Sequence, residues 1–128
     1  MRLITRSAQL AMVLLLIVPA IAGPYEVARD AYLREDYATA LSVWRPLAEQ
    51  GEPRAQMWLG FMSETGRAVP QTFMEAAKWY IKAADQGEPR AQMMLGYLYE
   101  SGRGVPQNYV RAHMWFSVSA SAHLSNSD

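Results

Sequence analysis

Residues Gly51–Gly60 read GEPRAQMWLG, and residues Gly87–Gly96 read GEPRAQMMLG, identical at nine of ten positions. The offset is 36 residues, and across the full windows Gly51–Gln86 and Gly87–Ala122 the two segments agree at 18 of 36 positions. A period of this length marks a stacked helical repeat. Units of that kind cannot bury their apolar faces alone, so each leans on its neighbour.

Within each copy the apolar residues recur at helical spacing. The first helix carries Ala55, Trp58, Leu59 and Met62, and its copy carries Ala91, Met94, Leu95 and Leu98, a stripe at i, i+3, i+4 and i+7. Pro53 and Pro89 stand near the helix starts, where a missing N–H costs least. Gly66 and Gly102 stand at the ends, where a left-handed cap favours glycine. The second helix repeats as Phe73, Ala76, Ala77, Tyr80 and Ala84, then as Tyr109, Ala112, Phe116 and Ala120. Thr72 with Glu75 has the form of a capping box, and Asn108 fills the matching N-cap position. Gly60 and Gly96 fall in mid-helix, a cost of about 1 kcal/mol against Ala. That cost predicts close approach of the partner helix, with Ala76 and Ala112 as the facing residues. Trp79 and Trp115, one period apart, are expected to pack in the core or between repeats.

An altered unit precedes the two copies. Tyr37, Ala40, Trp44, Leu47, Ala48 and Gly51 align with Phe73, Ala76, Tyr80, Ala83, Ala84 and Gly87. Tyr25–Leu33 supplies the paired helix and Arg34-Glu35-Asp36 a short turn, so the hairpin is four residues tighter than the later ones. The expected fold is all-α, a solenoid of six helices in three antiparallel pairs, with units over 23–50, 51–86 and 87–122 and a polar tail over 123–128.

Residues 1–22 are set apart from this pattern. Arg2 and Arg6, the apolar run Leu10–Val18, and Ala20-Ile21-Ala22 form an export signal with cleavage expected after Ala22. An uncleaved anchor is the alternative, but Leu10–Ala22 gives only 13 residues with Pro19 among them, against roughly 20 for a spanning helix. No cysteine follows the run, which excludes a lipid anchor there. The expected location is periplasmic or secreted, with no membrane contact after cleavage. The mature chain, Gly23–Asp128, keeps ten Lys and Arg against twelve Asp and Glu, a net charge of −2. No basic stripe suited to nucleic acid is present. Cys is absent, so neither a disulfide nor a thiolate metal site braces the domain.

The segments AQMWLG, GRAVPQ and EAAKWYIKAADQG, with their counterpart AQMMLGYLYESGRGVPQNYVRAHMWF, resemble Sel1-like repeats, relatives of the tetratricopeptide repeat. DAYLREDYATALSVWRPLAEQG is similar to a tetratricopeptide unit. The resemblance implies a scaffold or adaptor that binds another protein or peptide segment, with no cofactor. It also implies that the first helix of each pair lines a concave groove. Carried over by position, the groove residues are Tyr25, Arg29 and Tyr32, then Arg54, Met57, Phe61 and Glu64, then Arg90, Met93, Tyr97 and Glu100. Cysteine-rich members of the family are linked to β-lactams, which makes a cell-wall-fragment or β-lactam binder or hydrolase the alternative; this chain has no Cys.

Catalytic signatures are sparse. His113 and His123 are ten residues apart, about 1000° of helical turn, and fall on different faces. No HExxH motif is present. Glu35-Asp36 reads as loop charge or an N-cap. The lone G-x-G at Gly102–Gly104 follows a helix, the wrong order for a phosphate cradle. No catalytic or metal-ligating residue is assigned. Tyr99 is matched by Ser63 in the middle unit, where an aromatic is missing. No capping helix follows Ala122, which leaves three readings open: the last helix caps itself, its face docks onto another molecule or a second copy through Met114 or Val118, or the chain is a piece of a longer one.

Overall fold

A computed structural model describes residues 22–126. The expected export signal lies outside the described residues except for Ala22. Among those residues the chain is six helices without a strand: α1 Pro24–Leu33, α2 Tyr37–Glu49, α3 Pro53–Thr65, α4 Phe73–Asp85, α5 Pro89–Ser101 and α6 Tyr109–Ser125. The all-α solenoid of helix pairs is as the periodicity predicts. The described chain divides into two compact units, with the boundary between Val43 and Trp44.

In the first unit, α1 and the opening of α2 bury Ala28, Ala31 and Ala40 completely. The turn between them spans only 34–36. Glu35 takes a positive φ of 63° there, and the N–H of Asp36 donates to the Ala31 carbonyl at 2.9 Å. The Asp36 carboxylate accepts from the Thr39 N–H at 3.2 Å, so the Glu35-Asp36 pair is a turn and an N-cap. Hydrogen bonds from Thr39 hold the Asp36 carboxyl below its ordinary range. Tyr32 and Tyr37 meet with ring centroids 5.0 Å apart.

In the second unit, loops 66–72 and 102–108 join α3 to α4 and α5 to α6. Both loops are tied in the same way: Gln71 and Gln107 donate through Nε2 to the carbonyls of Glu64 and Glu100, at 2.9 Å each. That contact is the physical content of the repeated VPQ. Cross-helix partners show the antiparallel sense. Gln86 at the end of α4 reaches Gln56 at the start of α3, and Ser119 late in α6 donates to the Pro89 carbonyl at the start of α5. Helix α4 packs against both α3 and α5, and its alanines Ala76, Ala77, Ala83 and Ala84 are buried.

The caps are mostly those expected. Pro53 and Pro89 open their helices, and Gly66 and Gly102 close theirs in the left-handed region. Thr72 accepts from the Glu75 N–H at 3.3 Å, yet the box is half formed, because Glu75 turns to Lys78 at 2.9 Å. The sequence reading missed Glu52 and Glu88, whose side chains cap α3 and α5 by accepting from Ala55 and Ala91 at 2.6 Å each.

The mid-helix glycines do mark close approach, but the facing residue is different. A Cβ on Gly60 would stand 2.6 Å from the Tyr80 ring, and one on Gly96 2.6 Å from the Phe116 ring. Aromatics fill the place expected for Ala76 and Ala112. Gly104 is also under constraint: it has φ 71°, and an added Cβ would strike the Phe73 carbonyl of the preceding repeat. Trp79 and Trp115 are partly buried, and Trp79 carries the Lys82 ammonium 4.8 Å from its ring centroid.

The copies differ at their ends. Gln56 and Gln92 are both buried, and each donates to a carbonyl eight residues back, Ala48 at 3.1 Å and Ala84 at 3.2 Å. Gln56 also accepts from Gln86 Nε2 at 2.7 Å, whereas Ala122 stands at the matching place and Gln92 Oε1 meets no donor among the described residues. Ala122→Gln restores that donor. We expect it to raise stability by about 1 kcal/mol, read as an increase in Tm that Ala122→Leu does not reproduce.

Candidate functional site

The first helices of the two repeats, α3 and α5, together with the end of α6, surround a cavity of about 330 Å³. Met57, Trp58 and Phe61 come from α3, Arg90, Met93 and Met94 from α5, and His123 from α6. Spacing explains the first two sets. Residues 57 and 61 lie one turn apart on α3, and Met93 lies one period after Met57. His123 arrives for another reason: α6 has 17 residues where α3, α4 and α5 have 13 each, so residues expected in a polar tail form a further turn of helix.

Aromatic packing sets the wall. Trp44 is fully buried and stacks on Trp58, centroids 4.8 Å apart and planes 8° apart. Trp58 meets the Phe61 ring edge-on at 5.9 Å, and the Arg67 guanidinium lies 5.8 Å from the Phe61 centroid.

The expected groove residues separate into groups. Met57, Phe61, Arg90 and Met93 do come together at the cavity. Met57 is nevertheless buried, packed into the core with Ala76 and Ala77, while its copy Met93 is exposed. Glu64 is engaged elsewhere, accepting the Tyr80 hydroxyl at 2.6 Å. Its copy Glu100 is exposed, since Phe116 has no hydroxyl to offer. Tyr97 is exposed and meets the Phe116 ring at 5.0 Å. Arg54 is exposed, with its Nε donating to Glu52 at 3.1 Å. Tyr25, Arg29 and Tyr32 belong to the first unit. Tyr32 is buried against Tyr37, which corrects its expected place on an open groove, and Arg29 pairs with Asp30 at 3.2 Å. Trp58, Met94 and His123 were not among the expected site residues. Trp58 and Met94 belong to the apolar stripes of α3 and α5, whose spacing does not tell core from cavity wall, and nothing local in the sequence brings His123 to α3.

Glu88 sits beside Arg90 at the helix start. Burial pushes its carboxyl above the ordinary range, opposed by the Ala91 N–H and the Arg90 charge. A raised carboxyl favours the neutral form in the folded state. Stability is therefore greatest below the ordinary value and is lost as pH rises through the folded one. Glu88→Gln keeps the acceptor for Ala91 but removes the charge. We expect its Tm to fall less than that of the wild type over the interval just above the ordinary glutamate value, and a parallel pair of Tm–pH curves would refute this.

Among the described residues no three His, Cys, Asp or Glu side chains converge as metal ligands, and no helix is long and apolar enough to cross a membrane.

The family described as the Sel1 repeat matches this chain over residues 53–88 and 89–123. Three solved structures are similar. One is a protective antigen present in uropathogenic Escherichia coli strains that displays an SLR fold, with 34% identity and a TM-score of 0.71 over 77% of this chain and 22% of that one. Another is a Sel1 repeat protein from Oxalobacter formigenes, with 37% identity and a TM-score of 0.64 over 65% of this chain and 63% of that one. The third is cysteine rich protein B of Helicobacter pylori, with 24% identity and a TM-score of 0.64 over 66% of this chain and 64% of that one, a likeness of fold alone. No curated protein matches the sequence. This chain spans about a fifth of the first structure's length and under two-thirds of each of the others.

Proposed function

The chain belongs to the Sel1 repeat family, commonly a protein-interaction scaffold, and from that footing we propose that it is an exported adaptor that docks another polypeptide on the face formed by α3 and α5. One observation carries the reading: the two first helices jointly line an apolar cavity that is open to solvent, with the exposed Met93 in its lining and the exposed Tyr97 four residues further along α5. Aromatic residues and Arg dominate binding hot spots, and Met adapts to irregular partners. Export rests on the charged and apolar pattern of residues 1–22. The β-lactam alternative has no observation in its favour.

Site-resolved photocrosslinking tests the docking. A benzophenone side chain at Met93 is expected to yield a discrete adduct with an envelope protein, and one at Lys78 on α4 is not. Adducts at Lys78 alone, or none at Met93, would overturn the proposal. Export is tested by the N-terminal sequence of the mature protein, expected to begin at Gly23.

A second reading is supported by α6. Val110, Met114 and Val118 are exposed along one stripe. At the positions of Met114 and Val118, helix α4 carries Lys78 and Lys82. Replacing solvated lysines by apolar residues favours contact between two copies through α6. Sedimentation equilibrium is expected to show a dimer that Met114→Lys/Val118→Lys dissociates; a monomer at high concentration would refute it.

A further inference from the structure

We propose that the cavity receives an apolar side chain presented by an acidic segment of the partner polypeptide. This rests on the docking reading above and specifies its chemistry.

Five of the seven described lining residues are apolar: Met57, Trp58, Phe61, Met93 and Met94. The remaining two, Arg90 and His123, are both basic types, and among the described residues no carboxylate lines the cavity. The nearby acids have other roles. Glu52 and Glu88 cap their helices, and Glu64 holds the Tyr80 hydroxyl. The two copies of the repeat arginine also differ. Arg54 is tied to Glu52 at 3.1 Å, whereas the exposed Arg90 acts on Glu88 through its charge but donates no side-chain hydrogen bond among the described residues. A guanidinium left with its donors available matches a carboxylate in shape and charge.

The volume, about 330 Å³, is at the lower end of the roughly 300–1,000 Å³ of ligand-sized pockets. That is room for one or two side chains. Three methionines in the wall allow Leu, Met or Phe to be accommodated with small rotamer changes. The complement is thus a greasy residue flanked by Asp or Glu, a short acidic motif rather than a basic one.

Three dye-labelled, end-capped dodecapeptides test this by fluorescence anisotropy. All share a Gly/Ser background, and their centres are Glu-Glu-Phe-Glu-Glu, Gln-Gln-Phe-Gln-Gln and Glu-Glu-Ser-Glu-Glu. The first is expected to bind about tenfold or more tightly than either of the others. Arg90→Glu should abolish its advantage over the Gln peptide, and Met94→Trp, which fills the cavity, should abolish its advantage over the Ser peptide. Circular dichroism melts confirm that both variants remain folded. Equal binding of the Glu and Gln peptides, or an Arg90→Glu variant that binds as the wild type does, overturns the proposal. So does the absence of binding by all three, or displacement by N-acetylphenylalanine as effective as by the peptide, which would mark a small-molecule site. In each of these cases a surviving crosslink at Met93 leaves the docking reading standing; loss of that crosslink removes both.

Discussion

Trp44→Ala is expected to lower the stability of the fold by about 3–5 kcal/mol, the range for truncating a fully buried tryptophan. The indole is entirely shielded from solvent and lies flat against Trp58 at 4.8 Å. Its removal loses apolar burial, opens a cavity and deprives Trp58 of its stacking surface. Domains of this size are stable by about 5–15 kcal/mol in total, so the variant is expected to be partly unfolded near 37 °C. Urea unfolding followed by far-ultraviolet circular dichroism measures the loss; a difference below about 1 kcal/mol would show that the stack is not a main support. Because Trp58 also lines the cavity, the same variant should weaken partner binding even where it stays folded. Trp44→Phe, which keeps a flat ring, should recover part of both effects.

Gly60→Val is expected to cost about 3 kcal/mol, at the upper part of the range for overpacking a core. Ordinarily a helical glycine is a weak point, and filling it with alanine gains about 1 kcal/mol. Here the first added carbon would already lie 2.6 Å from two ring carbons of Tyr80. Tyr80 cannot easily withdraw, since its ring is fully buried and its hydroxyl is held by Glu64 at 2.6 Å. Gly96→Val should cost less, although its Cβ would stand equally near the Phe116 ring. Phe116 is only partly buried and has no hydroxyl anchor, so it can turn away. A double-mutant cycle with Tyr80→Leu supplies the check: Gly60→Val should be far better tolerated in that background. Additive losses would mean that the ring is not the obstacle.

Much of this architecture was readable residue by residue. The 36-residue period, the three-residue and seven-residue turns, Pro53 and Pro89 at helix starts, and Gly66 and Gly102 at helix ends are all local in origin. Each follows from dihedral preference, capping or the 3.6-residue repeat, which neighbours in sequence suffice to set. Mid-helix Gly60 and Gly96 even announced that something comes close.

What comes close was decided only by the tertiary structure. The depth of interlock between α3 and α4 places Tyr80, not Ala76, over Gly60, and the same crossing turns Glu64 away from the groove toward the Tyr80 hydroxyl. Met57 and Met93 are copies in sequence, yet one is buried and the other exposed, because the two positions differ in what the surrounding helices cover. His123 reaches the cavity through an added turn of α6, a contact between residues more than sixty positions apart from Met57 and Phe61. Periodicity along one helix states which residues share a face; which face meets which partner depends on helix crossing and length across the stack, and those are properties of the packed chain.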